Sequence, residues 1–132
     1  MKERDEIFKE LSNLVLDRTA VRMMKEDIAA IEKDEKQKEL PAIQREALEK
    51  ERLKLFSCMV ATSNRISRIE RLMAQLTLEE RKVLETTLVD PRPGAVFDLA
   101  EEFSCETTRI YRIRSRALSK LVRLRYGAGS DV

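Results

Sequence analysis

Residues 96–125 read VFDLAEEFSCETTRIYRIRSRALSKLVRLR: a short apolar-periodic segment, a break around Ser104, Cys105 and Glu106, and a second, far more basic periodic segment. In the second segment Ile110, Ile113, Ala117, Leu121 and Leu124 recur at the steps of a core-facing helical stripe. Arg109, Arg112, Arg116, Lys120 and Arg123 recur away from it, so one face is expected to pack and the other to meet an anion. Leu99 and Phe103 are the expected core contacts of the first segment, and Ala100 is small enough for two helices to cross over it. Cys105 fills an apolar slot in the turn. A short supporting helix with a basic helix held at an angle to it is the form that enters a DNA major groove.

A helical projection refines the basic face. Thr108, Arg112, Ser115 and Ser119 point farthest outward, Arg109, Arg116, Lys120 and Arg123 flank them on one side, and Tyr111 lies on the other. Arg112 is the expected base reader, because a guanidinium pairs bidentately with guanine. Arg109, Arg116 and Lys120 are expected to clamp phosphates. Tyr111 reads equally well as a packing residue and as a base or sugar contact.

Upstream, Asp90-Pro-Arg-Pro-Gly94 cannot continue a helix. Before it, Thr77 and Glu80 form a capping-box pattern, so a helix is expected from Leu78 to about Val89, burying Val83, Leu84 and Leu88. From Leu76 through Glu80, Val83 and Leu84, and again from Val96 to Leu121, the chain resembles the fourth region of sigma-70 family factors. The ending Ala117-Leu118-x-Lys120-Leu121 is especially typical of that family. The resemblance implies a helix-turn-helix fold for residues 76–126 and places base and phosphate contacts on Thr107, Thr108, Arg109, Tyr111 and Arg112. These side chains are not the primary sigma set. Ser104 stands where the family usually has a turn glycine, so a left-handed backbone there carries a steric cost. Glu106 stands where the family often has a threonine N-cap, and Thr107 is expected to cap in its place.

In size and layout the chain also looks like the late-transcription regulators of Gram-positive phages and prophages, the autolysin-regulator (ArpU-like) group. That resemblance implies transcription control of phage genes with RNA polymerase as a partner. No core-binding region of a full sigma factor is recognisable, so recruitment of polymerase is expected rather than promoter melting. The acidic helix around Glu79, Glu80 and Glu85 either docks on polymerase, by the same resemblance, or balances charge.

Residues 1–75 are expected to form a long helical hairpin. Ile7, Leu11, Leu14, Val21, Met24, Ile28 and Ile31 share one face of a first helix ending near Glu39. Leu55, Met59, Thr62, Ile66, Ile69, Met73 and Leu76 then make a heptad seam on a second helix, from Pro41 to about Gln75, with a coiled-coil period. The two seams are expected to pair within the chain, and the leftover apolar residues Leu53, Phe56 and Val60 leave a homodimer open.

Composition agrees with an all-α chain. Charged residues make up 38% and aromatics 5%, which suits narrow apolar seams rather than a thick core. The charge is segregated: basic residues number nine against eleven acidic over 1–40, seven against four over 41–75, three against seven over 76–105, and seven against two over 106–132. The largest basic excess sits on the last helix, as expected for a localised nucleic-acid footprint. Two cysteines and no histidine exclude a disulfide framework and zinc-finger spacing, and each cysteine reads as a small buried hydrophobe. The N-terminus is too charged for a signal peptide and no apolar run spans a bilayer, so a cytoplasmic protein without a membrane partner is expected. No nucleophile, phosphate loop or metal cluster is visible, so neither an enzyme nor a cofactor is expected. Residues 127–132 read as a flexible tail.

Two functions follow: a sequence-specific duplex DNA-binding transcription regulator, or a helical interaction or scaffold protein carrying a degenerate helix-turn-helix.

Overall fold

The computed structural model describes residues 2–127, and every regular element among them is helical. The elements are α1 (Lys2–Ser12), α2 (Leu14–Glu35), α3 (Ala42–Met73), α4 (Leu78–Leu84), α5 (Ala95–Glu102) and α6 (Thr107–Tyr126), with a π-helical turn, Glu85–Val89, continuing α4. Among the described residues no helix is long and apolar enough to cross a membrane.

The chain divides into two compact units: Leu16–Ile66, and Met1–Val15 together with Ser67–Val132. The boundary expected near residue 75 therefore moves. The cause lies in α6, which carries a second apolar row. Leu118 and Val122 are buried alongside Ile110, Ile113, Ala117 and Leu121, and α1 packs against α6 with its own buried Ile7 and Leu11. The stripe expected to end in Leu124 is corrected by the same packing, since Leu124 is 46% exposed. Of the tail expected over 127–132, all but Gly127 lies outside the described residues; Gly127, with φ 97°, ends α6.

The first helix is interrupted where a continuous one was expected. Ser12 and Asn13, whose side chains compete for backbone groups, stand at the interruption. The Asn13 amide still donates to the Lys9 carbonyl at 3.0 Å, so the break is a single residue wide.

Within Leu16–Ile66, Asp17 accepts two hydrogen bonds of 3.0 Å from Arg65, and Glu35 accepts one of 2.9 Å from Arg52. Positions rising along α2 thus pair with positions falling along α3, the order of an antiparallel pair. Ile28, Ile31 and Thr62 are buried, whereas Leu55, Met59 and Ile66 are half-buried. The helix α2 ends at Glu35, earlier than expected, and Arg45 closes the turn by donating to the carbonyls of Glu35 (2.7 Å) and Gln37 (3.0 Å). Pro41 lies just before the first turn of α3, where its carbonyl accepts from the Arg45 amide and its missing N–H costs nothing. Cys58 is exposed on α3, which corrects its reading as a buried hydrophobe.

The other unit holds the main core. Ile69, Met73 and Leu76 of the predicted seam are buried in it. Helix α4 starts on the expected capping box: the Glu80 amide donates to Thr77 Oγ1 (3.1 Å) and the Thr77 amide donates to Glu80 Oε1 (3.0 Å). Its end differs from expectation. Thr86 and Thr87 both donate their hydroxyls to carbonyls four residues back, Lys82 and Val83, and such back-bonding loosens a helix. The last turn widens to the π form, with the Asp90 amide donating to the Glu85 carbonyl at 2.9 Å. Val83, Leu84, Leu88 and Val89 are still buried by it.

Candidate nucleic-acid interface

The site is assembled on one cluster. Val83 of α4, Leu99 and Ala100 of α5, and Ile110 and Ile113 of α6 form a buried core, with Val96, Phe103 and Cys105 packed against it. Leu99, Ala100, Phe103, Cys105, Ile110 and Ile113 are the residues that the spacing assigned to the core of a short helix, a turn and a longer helix. The turn is held by backbone bonds from the Phe103 amide to the Leu99 carbonyl (2.8 Å) and from the Cys105 amide to the Ala100 carbonyl (2.9 Å). Ser104 has φ 51°, the left-handed backbone anticipated there, and is the one non-glycine among the described residues with positive φ. Helix α5 begins after Gly94, whose φ of 73° suits a residue without Cβ. Helix α6 begins after Glu106 in extended backbone with no side-chain cap, so Thr107 is its first helical residue and not its cap.

From this core the 20 residues of α6 distribute their side chains in three sectors. One faces α4 and α5. A second faces α1: Arg114 lies over the Phe8 ring at 5.8 Å, Arg125 pairs with Glu10, and Tyr126 donates to Glu6 at 2.7 Å. The third faces solvent.

Each predicted site residue can now be placed. Arg112, Arg116 and Arg123 are exposed, and at 100° per residue they project within about 40° of one another. No hydrogen bond or ion pair among the described residues occupies Arg112 or Arg116. Arg109 and Lys120 stand beside that row, toward α4, and both meet acids: Arg109 pairs with Glu79 at 3.6 Å and Lys120 with Glu80 at 3.5 Å. Thr108 and Tyr111 are exposed and Thr107 is half-buried. Ser115 and Ser119 are the exception to a free outward face, because Arg4 of α1 donates to both hydroxyls, at 3.1 and 3.2 Å.

Arg116, Ser119, Lys120, Arg123 and Leu124 line an open groove of about 1010 Å³ together with Thr77, which caps α4, and Glu79 and Glu80 of α4. Its walls differ in charge, basic from α6 and acidic from α4. The Glu80 carboxyl is largely buried; burial alone would raise its pKa, but the hydrogen bonds from Thr77 and the Lys120 ammonium together outweigh that, and it lies below the usual carboxylate value. Glu80 is therefore ionised at neutral pH and fixes Lys120. Burial and the Glu6 carboxylate push the Tyr126 phenol up, which keeps it a neutral donor.

Arg4 is the residue at the edge of this face that sequence reasoning missed. Ile7, Leu11 and Leu14 signalled that the first helix needed a partner, but nothing in their spacing named α6 as that partner. Compared with family models, with curated protein sequences and with solved structures, the chain gives no match in any of the three.

Proposed function

We propose that this protein is a transcription regulator that binds duplex DNA sequence-specifically through the solvent face of α6. The observation that carries the reading is the row of Arg112, Arg116 and Arg123, exposed together on a helix whose other two sides are packed. A carboxylate-free row of guanidinium groups on a rigid helix suits a phosphate backbone and the guanine edges of a major groove. Arg112, near the start of α6, is the base reader; Arg116 and Arg123 clamp phosphates. Arg109 and Lys120 hold acidic partners and contribute after exchanging a carboxylate for a phosphate. Resemblance to the fourth region of sigma-70 factors and to the phage late-transcription regulators supports a promoter-proximal target in a bacterial cytoplasm, with RNA polymerase as a second partner.

The test is fluorescence anisotropy on duplexes selected from a random pool, at several salt concentrations. Four phosphate contacts, from Arg109, Arg116, Lys120 and Arg123, give a log–log salt slope of about −3.5. Arg112→Ala is expected to relax preference at one base pair, costing ~1–3 kcal/mol on the selected site and little on random duplex. Salt-insensitive or absent duplex affinity would instead favour a helical interaction protein.

A further inference from the structure

Arg4 is the cation whose placement the reading of α6 leaves unused. It lies 111 residues before Ser115 in the chain, yet its guanidinium bridges Ser115 and Ser119, one helical turn apart on α6. On a helix, Ser119 is the three- or four-residue neighbour of Arg116 and Arg123, and Ser115 is that of Arg112. The bridged hydroxyls thus border the open basic row directly.

The chemistry of the bridge separates Arg4 from the other arginines that face a carboxylate. Arg65 meets Asp17, Arg68 and Arg125 meet Glu10, and Arg52 meets Glu35. Arg4 meets two neutral hydroxyls. Two serines orient a guanidinium without neutralising it, no carboxylate among the described residues pairs with it, and the two serine bonds use two of its five N–H donors. Setting such a charge on the border of the basic row is unfavourable for the free protein, since like charges repel. An anion that spans the row and the bridge removes that penalty.

We infer that Arg4 is part of the DNA-binding surface, a phosphate contact delivered to α6 from the other end of the chain. The inference rests on the proposed duplex binding. It makes the surface composite: α6 supplies the groove-reading residues, and α1 supplies a clamp on the backbone strand along the Ser115–Ser119 side. DNA affinity then depends on α1 being docked.

Two measurements on the full chain test it. Wild-type protein is treated with phenylglyoxal, which modifies arginines, with and without a saturating selected duplex, and each site is read by mass spectrometry. Arg4 is expected to be protected together with Arg112 and Arg116, whereas exposed Arg92, on the loop before α5, reacts alike in both. The second is the salt slope of Arg4→Gln, with circular dichroism confirming its helix content. One lost phosphate contact makes the slope shallower by about 0.9, so the affinity drop between 50 and 200 mM salt shrinks by about 3.5-fold. Arg4→Lys, which keeps the charge, is expected to retain the wild-type slope. Protection of Arg112 and Arg116 without Arg4, or an unchanged slope in folded Arg4→Gln, overturns this inference and leaves duplex binding standing. Protection of none of the three, with no salt-dependent affinity, overturns the duplex reading and this inference with it.

Discussion

Replacing Glu80 with glutamine tests how the start of α4 is tied to the basic face of α6. Glu80 Oε1 accepts from the Thr77 amide at 3.0 Å and from Lys120 Nζ at 3.5 Å, and its side chain is only 9% exposed. Glutamine keeps a carbonyl oxygen for the Thr77 amide, so the neutral part of the capping bond survives. What it loses is the charge. A hydrogen bond to a charged group is worth about 1 kcal/mol more than a neutral one, and the pair with Lys120, whose side chain is 40% exposed, adds less than about 1 kcal/mol after solvent screening. Glu80→Gln is therefore expected to cost about 1–2 kcal/mol at pH 7. At about 4–8 °C per kcal/mol for a domain of roughly this size, the melting temperature falls by several degrees.

The pH dependence gives the reasoning a sharper edge. The carboxyl of Glu80 titrates below its ordinary value in the folded protein, so between the two values the unfolded chain binds more protons. Stability from this group is fully present above the ordinary glutamate pKa and is lost as pH falls through the folded one. Urea unfolding of wild type and Glu80→Gln at neutral pH and near pH 3 should show the gap closing in acid, since the other carboxylates are common to both proteins. A gap that is the same at both pH values would refute the assignment of charge to this contact.

Three further outcomes follow from the same geometry. Ser104→Gly should raise stability by about 0.5–1 kcal/mol, read as a higher urea midpoint, because glycine relieves the left-handed strain at φ 51° and returns part of the gain as unfolded-state entropy. Glu79→Gln should release Arg109 from its 3.6 Å partner, tightening duplex binding and steepening the salt slope by up to about 0.9 while changing the urea midpoint little. Arg116→Gln should do the reverse on DNA, making the slope shallower by about 0.9, yet leave the free protein equally or slightly more stable, because it removes two like-charge pairs at four-residue spacing, with Arg112 and with Lys120.

The features legible in the sequence are those decided within a few residues. Thr77 and Glu80 cap each other because they are three apart; the left-handed backbone at Ser104 was indicated by the resemblance to a family that usually has glycine at that turn position. The cluster of Leu99, Ala100, Ile110 and Ile113 follows from two short periodic segments joined by a tight turn. Three things were not legible, two of them for a nonlocal reason. Leu118 and Val122 look like strays from the α6 stripe until α1 is placed against them, and Leu124 looks like its continuation until the core is seen to turn away. The π-turn has a local sign in the adjacent Thr86 and Thr87, but their hydroxyls can as easily face solvent. The bridge from Arg4 to Ser115 and Ser119 needs the docking of α1, which no spacing encodes.

The arrangement around α6 also explains how a chain of nearly balanced charge can carry a concentrated basic face. Lysine and arginine exceed aspartate and glutamate by only two in the whole sequence. The acids that would neutralise α6 are spent elsewhere or held at its margins: Glu10 serves Arg68 and Arg125 on the α1 side, and Glu79 and Glu80 border the row on the α4 side. Neither group reaches Arg112 or Arg116. With Arg109, Arg112, Arg116, Lys120 and Arg123 spaced three or four apart, four like-charge steps cost the free helix about 1–2 kcal/mol in total, less where Glu79 and Glu80 intervene. The deep packing of the other two sides of α6 holds the helix together against this repulsion, which isolated helical propensity would not do. The same packing keeps the row from rearranging to escape it. A surface held in that condition gains most from a linear polyanion, whose regularly spaced charges meet several of the cations at once.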